Sequence, residues 1–460
     1  MHSKIITLLI LLVFAPKVFS QKIRVIQAKT AKVDIRVDND LRKGTWNIVP
    51  EARPDIFDVY TPGKAVETTF ITDQDSISFS VKPGDYYQFV VLLNGMDSAF
   101  TAIRGNLEVP RAKFSDAYQR KHRGKTKVEI PAVYELVNIV FAITSEGQKN
   151  NGLIQRDLDY YHEVMKWFTP FAGEPVVKRL NEELMHGNYH GLKMDAYSFD
   201  LTGEKITPSD VYDRLGLDPV NHLLPYIEEL EALAKRSHFA DFYHKHQSFY
   251  QELIQGYEPI GVAEMQRWLG VNFPSTRYDC FKIVFSPLVN ANQSATWFLH
   301  DGFAEAQAHV NFPSRRSSDY EVMSKAAVDA RAGDIVFTEL NHAFIGPESV
   351  KFADKINQAF TDMSVWNDFD SPAKHYDSPM TSFDEYMNWG LVNLRYVDLV
   401  PGEEQEKLIA NIEQVMKNRR GFKKFPEFSQ FLVAQYRSRK SGQTVADLYP
   451  AIVEWFVQNK

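Results

Sequence analysis

Cysteine is almost absent from this sequence. Cys280 is the only cysteine among 460 residues, so the chain can form no intrachain disulfide and no thiolate cluster for a structural zinc ion. The sequence also lacks a Gly-x-Ser-x-Gly elbow, a P-loop and a dinucleotide-binding glycine pattern, which are the usual signatures of serine hydrolases and nucleotide-binding proteins. Cys280 itself adjoins an apolar run and is predicted to be a small core residue.

Positive charge is not in excess either. The chain has 52 lysines and arginines against 59 aspartates and glutamates, a formal net charge of -7 at pH 7, which argues against nucleic acid as a partner. Hydrophobic residues make up 44% of the chain and aromatic residues 13%, as is typical of a folded globular protein. Beyond the N-terminus no apolar run is long enough to span a membrane. Nothing in the composition indicates an oligomeric state.

Residues 1–20 have the pattern of a cleavable signal peptide. Lys4 provides a basic start, Ile5–Phe14 is almost continuously apolar, and residues 18–20 (Val-Phe-Ser) precede a cleavage point ahead of Gln21. The apolar run is short for a membrane span, although an uncleaved anchor is the alternative that the pattern leaves open. We therefore expect an exported protein of the periplasm or the extracellular space.

Residues 21–108 are predicted to form a small antiparallel β-module of the sandwich type. Short runs rich in β-branched and aromatic residues alternate there with turn-forming pairs such as Asn94-Gly95. The predicted strands are Ile23–Ile26, Val33–Val37, Val66–Ile71, Ile77–Val81 and Tyr87–Leu93. We find no catalytic constellation in this module.

Residues 109–460 are predicted to be mostly helical with a small sheet. The basic stretch Arg111–Lys127 is interpreted as a solvated linker. Helical spacing covers Pro131–Thr144, Asp157–Phe168, Val176–Met185, Tyr226–Leu253 and Val262–Leu269, and strand patterns cover Phe281–Leu288, Ser294–Leu299 and Ala304–Val310. The last strand is expected at the edge of its sheet. The predicted fold class of the chain is therefore α+β, with the β-module first and a mostly helical domain second.

One segment, residues 333–347, has the pattern of a catalytic helix. It is predicted to begin with Asp334 as N-cap and to end at Gly346-Pro347. Thr338 and His342 lie four residues apart and share a helix face, with Glu339 beside them. Zinc peptidases use this geometry in the pattern His-Glu-x-x-His, where both histidines bind the metal and the glutamate polarises its water. The pattern is incomplete here, because Thr338 replaces the first histidine.

Several other residues are candidates to complete a metal or catalytic site. Glu385 begins a second predicted helix and is a candidate zinc ligand, although Ser382-x-x-Glu385 is equally a capping box. Tyr386 is a candidate donor to a developing oxyanion or, alternatively, a packed core residue. His309 and His300 are candidate replacements for the absent ligand. A di-metal carboxylate site would need a second Glu-x-x-His pair, which the other helices do not offer.

The pair His186 and His190 also has the spacing of a metal site. Gly187 and Gly191 interrupt that segment, so the two histidines are interpreted as surface or packing residues. His238, His244 and His246 are placed on a long amphipathic helix and are interpreted as part of its solvated face.

Four segments of the chain resemble a family of exported bacterial proteins described as a domain of unknown function, DUF4932. They are residues 337–342 (Phe-Thr-Glu-Leu-Asn-His) followed by Pro347 and Ser349, residues 383–389 (Phe-Asp-Glu-Tyr-Met-Asn-Trp), residues 133–139 and residues 286–289. The likeness covers roughly residues 130–431. Many members resemble zincin metallopeptidases, with a complete His-Glu-x-x-His and a downstream Asn-Glu-Tyr. The β-module also resembles a small domain that is attached to varied exported proteins.

The resemblance implies a zincin-like domain over residues 109–460. It implies Glu339 as the general base, with His342 and Glu385 as ligands of a Zn²⁺ ion and a peptide or protein as substrate. The departure at Thr338 leaves two hypotheses. One is an exported metallopeptidase, and the other is an inactive pseudo-metallopeptidase that binds a peptide or an envelope component. A purely structural envelope protein is a third alternative.

Overall fold

The computed structural model describes residues 23–38, 40–45, 55–313 and 319–460, and the predicted signal peptide lies outside them. The chain divides into two compact units, residues 1–108 and 109–460. The first unit contains β-strands and the second is mostly helical with a small sheet, so the predicted α+β fold class is confirmed. None of the described helices is both long and apolar enough to cross a membrane.

The first unit contains two four-stranded sheets around one apolar core. Its strands are β1 (Arg24–Ala28), β2 (Lys32–Val37), β3 (Asp40–Thr45), β4 (Asp55–Thr61), β5 (Val66–Ile71), β6 (Ser76–Val81), β7 (Tyr86–Leu93) and β8 (Asp97–Leu107). The sheet β3-β2-β5-β6 is antiparallel throughout. The sheet β1-β7-β8-β4 is mixed, because β1 and β4 each pair in parallel with a strand distant in sequence, whereas β7 and β8 form an antiparallel hairpin.

The hairpin between β7 and β8 has the predicted turn. Asn94 and Gly95 have φ angles of 52° and 71°, which are the positive values that a type I′ turn requires. β8 itself was not predicted from the sequence, because Arg104, Gly105 and Asn106 break the apolar pattern. A side chain at Gly105 would overlap the carbonyl of Lys82, so the close approach of these backbones requires glycine.

The second unit contains most of the helices. They are α1 (Asp116–His122), α2 (Ala132–Ile143), α3 (Ser145–Lys149), α4 (Asp159–Phe168), α5 (Pro175–Met185), α6 (Tyr189–Asp195), α7 (Ile227–Arg236), α8 (Phe239–Lys245), α9 (Gln247–Gln255), α10 (Val262–Asn272), α11 (Asp319–Val322), α12 (Lys325–Ala332), α13 (Asp334–Ser349), α14 (Ala353–Ala359), α15 (Pro379–Leu399), α16 (Gly402–Gln414), α17 (Phe425–Ser438) and α18 (Val445–Gln458). A π-helical turn, Val415–Arg420, follows α16. α2 is the predicted buried helix, since each residue after Ala132 is buried.

The sheet of the second unit has four strands in the order β13-β14-β12-β9. They are β9 (Lys125–Glu129), β12 (Cys280–Phe285), β13 (Ser294–His300) and β14 (Phe303–Val310), while β10 (Phe199–Thr202) and β11 (Lys205–Pro208) form a separate hairpin. β9, β12 and β14 are parallel, and β13 runs antiparallel at the edge. The expectation that residues 304–310 form the edge strand is therefore wrong. Cys280 is buried in β12, as predicted.

The linker interpretation of Arg111–Lys127 is also wrong. Residues 116–122 form α1, and β9 adds a strand to the sheet. The segment is fixed because Gly124 donates to the carbonyl of Asp279 at 2.7 Å and Arg123 pairs with the Asp279 carboxylate. Exposed lysines on an edge strand are a common protection against further strand pairing, so a basic pattern does not exclude a strand.

Two helix boundaries differ from the predicted ones. The predicted long helix over residues 226–253 is broken into α7, α8 and α9. His238, with a left-handed backbone of φ 52°, separates α7 from α8, and His246, with φ of -94° and ψ of 7°, separates α8 from α9. The helix α13, which carries the Thr-Glu-x-x-His motif, continues past Pro347, which cannot donate to the carbonyl of Ala343. The hydroxyl of Tyr278 donates to that carbonyl at 2.7 Å and replaces the lost hydrogen bond.

Candidate functional site

The helix α13 presents the predicted motif to a cleft. Thr338, Glu339 and His342 all line a cavity of about 720 Å³, as their spacing on one helix face requires. The helix begins with Gly333 as N-cap rather than Asp334. Asp334 is instead buried and accepts a hydrogen bond from the hydroxyl of Tyr396, and burial raises its pKa to about 7. The N-terminal end of α13 is thus fixed by a side chain of α15.

The opposite walls of the cleft come from three other segments of the second unit. α15 and the turn before it supply Tyr376, Glu385, Asn388 and Trp389. The π-helical turn Val415–Arg420 supplies Arg420. The segments around α6 and β13 supply His190, Asn292 and Gln293. A second cavity of about 540 Å³ adjoins this cleft and shares Glu339 and His342 with it. The two cavities extend the cleft along β13 and α6.

Glu385 enters the cleft from the second turn of α15. The capping box of this helix is formed by Ser378 and Thr381, so the alternative in which Ser382 and Glu385 cap the helix is wrong. The Glu385 side chain is only 2% exposed. Its Oε1 accepts from the indole nitrogen of Trp389 at 3.0 Å, and its Oε2 accepts from the amide of Asn388 at 3.3 Å. A buried carboxylate is therefore held in a fixed orientation.

The structure brings His342 and Glu385 together. Nε2 of His342 lies 4.0 Å from Oε2 of Glu385. The Asn388 amide nitrogen lies 2.9 Å from the same imidazole nitrogen. Because that amide nitrogen only donates, Nε2 of His342 accepts the hydrogen bond, which requires a neutral ring. Burial and the guanidinium of Arg420 also lower the pKa of His342, against the opposing effect of Glu385.

Arg420 is a charged residue of the cleft that the sequence patterns did not identify. Its Nη2 lies 2.6 Å from Oε1 of Glu385 and donates to the hydroxyl of Tyr376 at 2.9 Å. The guanidinium also lies 5.2 Å from the centre of the Trp389 ring and 5.8 Å from that of Phe422, within the range of cation–π attraction. Arg420 thus forms a buried ion pair with one of the two predicted metal ligands.

Glu339 is held in a poorly solvated position. Burial and the nearby Glu385 carboxylate raise its pKa to about 8, although Lys193 and Arg420 oppose the shift. Lys193 is fully buried on α6, and its Nζ donates to the carbonyl of Asn292 at 2.5 Å. Burial lowers the pKa of this lysine to about 7, against the effect of Glu339. At neutral pH the Glu339 carboxyl is therefore mostly protonated.

The side chains of the cleft do not fit a catalytic zinc ion. Zinc peptidases hold the metal with three protein ligands and leave one position for water. The hydroxyl of Thr338 donates to the carbonyl of Ile335 at 2.8 Å, within its own helix. Glu385 is paired with Arg420, and Nε2 of His342 accepts from the amide of Asn388, so neither predicted ligand is free to bind a metal ion. Within the described ranges, no group of three or more His, Cys, Asp or Glu residues is arranged to hold a metal ion.

Tyr386 is not brought to the cleft. Its side chain is fully buried among aromatic residues that include Phe425 of α17 and Phe456 of α18, and its hydroxyl donates to the carbonyl of Trp366 at 2.9 Å. Residues 385 and 386 are about 100° apart around the helix, so one faces the cleft and the other the core. The tyrosine that does line the cleft is Tyr376.

The candidate replacement histidines do not line the cleft. His309 is fully buried in β14, where its Nε2 lies 3.0 Å from Oε1 of Gln307. His300 ends β13 and is absent from the lining of both cavities. His190 does line the cleft, and its Nδ1 lies 2.7 Å from the hydroxyl of Ser294. His190 therefore lines this site, although the glycines at positions 187 and 191 led to its interpretation as a surface or packing residue.

Comparison of the chain with protein families, with curated proteins and with solved structures finds no match to any of them.

Proposed function

We propose that residues 109–460 form an exported, catalytically inactive pseudo-metallopeptidase whose cleft binds an extended peptide. The observation that carries the proposal is the ion pair between Arg420 and Glu385, at 2.6 Å, beside a neutral His342. A peptidase of this type needs its carboxylate and imidazole free to hold a metal ion that activates water. In this cleft both groups already have other partners.

The raised pKa of Glu339 also accords with the proposal. Burial and the Glu385 carboxylate raise this pKa to about 8, which favours the protonated carboxyl near neutral pH, and a protonated carboxyl can donate a hydrogen bond. The donors of the cleft, Glu339 and Arg420, suit the carbonyl oxygens of a peptide backbone. Because Glu385 and Arg420 compensate each other's charge, an uncharged ligand is favoured over a strongly ionic one.

The shape of the cleft favours an extended segment. The edge strand β13 borders the second cavity through Ser294, Ala295 and Trp297, and among the described strands it pairs only with β14. An unpaired strand edge offers backbone groups to a further strand, which is a common mode of peptide recognition. The side chain of Trp297 is 37% exposed and offers an apolar contact at this edge.

Binding is tested with fluorescein-labelled casein, an unstructured polypeptide, by fluorescence anisotropy of the mature protein. Ala291 is exposed and lines the cleft, so Ala291→Trp should fill it and weaken binding about tenfold or more, equivalent to about 1.4 kcal/mol. Ala451→Trp, at an exposed position on α18, is the matched control and should bind as the unmodified protein does. Absence of binding, or equal binding by both variants, would contradict the proposed peptide site.

Catalytic inactivity is tested with the same casein by gel electrophoresis after prolonged incubation. We expect no cleavage, with or without added Zn²⁺ and with or without 1,10-phenanthroline. Chelator-sensitive cleavage that disappears in Glu339→Gln would instead establish the metallopeptidase alternative. The variant Glu339→Gln keeps the size of the side chain, so a loss of cleavage would report on the carboxylate.

A further inference from the structure

The guanidinium of Arg420 is fixed on several sides. Glu385 and Tyr376 contact its Nη2, and the rings of Trp389 and Phe422 lie within 5.8 Å of its central carbon. The backbone before it is a π-helical turn, and Gly421 after it has φ of 85°. π-helical turns are rare and are found frequently at functional sites. The arginine thus enters the cleft from a local structure that is itself unusual.

The guanidinium of Arg420 lies beside the two predicted zinc ligands. Glu385 presents Oε1 to Arg420, while its other oxygen lies 4.0 Å from Nε2 of His342. Two ligands of a tetrahedral zinc ion, each about 2.1 Å from the metal, lie about 3.4 Å apart. The separation of the imidazole and the carboxylate is therefore only about 0.6 Å longer than that of two ligands sharing one zinc ion. What differs is that a positive charge is already present beside the carboxylate.

We infer that the guanidinium of Arg420 takes the place of a metal ion in this cleft, and that the side chains around it keep part of the geometry of a zinc site. The inference goes beyond the proposed function, since it holds whether or not a peptide binds. Thr338 and His342 share one helix face, so a histidine at position 338 would add the second imidazole. With Arg420 still present, a divalent ion would have to bind next to a fixed positive charge. Two changes, and not one, are therefore needed to create a zinc site.

The test compares zinc binding by a set of variants of the mature protein. The variants are Thr338→His, Thr338→His/Arg420→Met, Thr338→His/Arg420→Gln and Thr338→His/Arg420→Lys. Zinc content is measured by elemental analysis after dialysis against a fixed free Zn²⁺ concentration, and Co²⁺ absorption spectra report tetrahedral coordination. Circular dichroism of each variant shows whether it is folded.

We expect the two variants without a charge at position 420 to bind one zinc ion per chain. Removing a unit charge a few ångströms from the metal is expected to tighten binding about 100-fold relative to Thr338→His alone. The Arg420→Lys combination keeps the cation and should bind as weakly as Thr338→His.

Two results would overturn the inference. The first is stoichiometric zinc in Thr338→His alone, bound as tightly as in the variants that lack the charge. The second is a folded Arg420→Met or Arg420→Gln combination that binds neither zinc nor cobalt. The glutamine variant can still donate to Glu385, so it provides a second folded candidate if the methionine variant does not fold. Because the readout is metal content, these results are independent of casein binding.

Discussion

The stability of the helical unit should depend strongly on Arg420. In Arg420→Met the long apolar side chain can keep the contact with Trp389, but Glu385 loses its charged partner while remaining 2% exposed. Breaking a buried ion pair by removing one partner costs about 3–5 kcal/mol, because an uncompensated charge is left behind. Trp389 and Asn388 still donate to the carboxylate, so we expect a loss of about 3 kcal/mol in the free energy of unfolding.

A double-mutant cycle separates the ion pair from other effects of the substitution. Glu385→Gln should cost less than Arg420→Met, because the guanidinium keeps Tyr376 and its aromatic neighbours and is 23% exposed. The double variant Glu385→Gln/Arg420→Met leaves no buried charge unpaired. Its loss in the free energy of unfolding should therefore be about 2 kcal/mol smaller than the sum of the losses in the two single variants. Both effects follow from the same 2.6 Å contact.

The assay is urea unfolding followed by tryptophan fluorescence. Six of the seven tryptophans lie after residue 108, so the signal reports mainly on the helical unit. A change of less than about 0.5 kcal/mol in Arg420→Met, the level expected of an ordinary surface substitution, would refute the argument. Additive losses in the cycle would show that the two side chains do not interact.

Three further predictions concern pH, backbone conformation and export. Between pH 4.5 and about 8 the native state holds a proton on Glu339 that the unfolded state has released, so the free energy of unfolding falls as the pH rises through this window. Glu339→Gln removes this effect, so the variant should be more stable than the unmodified protein by a few kcal/mol at pH 8 and about equally stable at pH 4. Urea unfolding at the two pH values measures the difference. Gly421 has φ of 85°, and an added Cβ there would overlap the hydroxyl of Ser371. Gly421→Ala should therefore lower the free energy of unfolding by about 2 kcal/mol or more and displace Arg420. A lower midpoint of urea unfolding would show the loss of stability. Export should leave Gln21 as the N-terminal residue, which mass spectrometry of the secreted protein would check; an intact Met1 would contradict it.

Much of the fold could be predicted from local patterns. The strict alternation of polar and apolar residues in Ser76–Val81 matches alternate burial in β6, and the apolar residues of α2 after Ala132 are all buried. The errors arose where distant contacts decide the structure. Lys125 and Lys127 are exposed, yet they belong to a strand because Asp279 fixes the segment beside β12. Their local composition alone favoured a linker.

The candidate site was only partly predictable for a similar reason. Helical spacing placed Glu339 and His342 on one face, and the distance between His342 and Glu385 accords with the grouping suggested from the sequence. Arg420 follows Glu385 by 35 residues in a basic stretch with no recognisable pattern, so its contact depends on the tertiary structure. Tyr386 was placed beside Glu385 in sequence, but adjacent helical residues face different directions.

The most direct test of the account is the metal content of the natural protein, purified without chelators and measured by elemental analysis. Because Arg420 already neutralises Glu385 and Thr338 supplies no imidazole, we predict no stoichiometric zinc. One tightly bound zinc ion per chain would contradict the account, since it would require Glu385 to leave Arg420 and bind the metal together with His342.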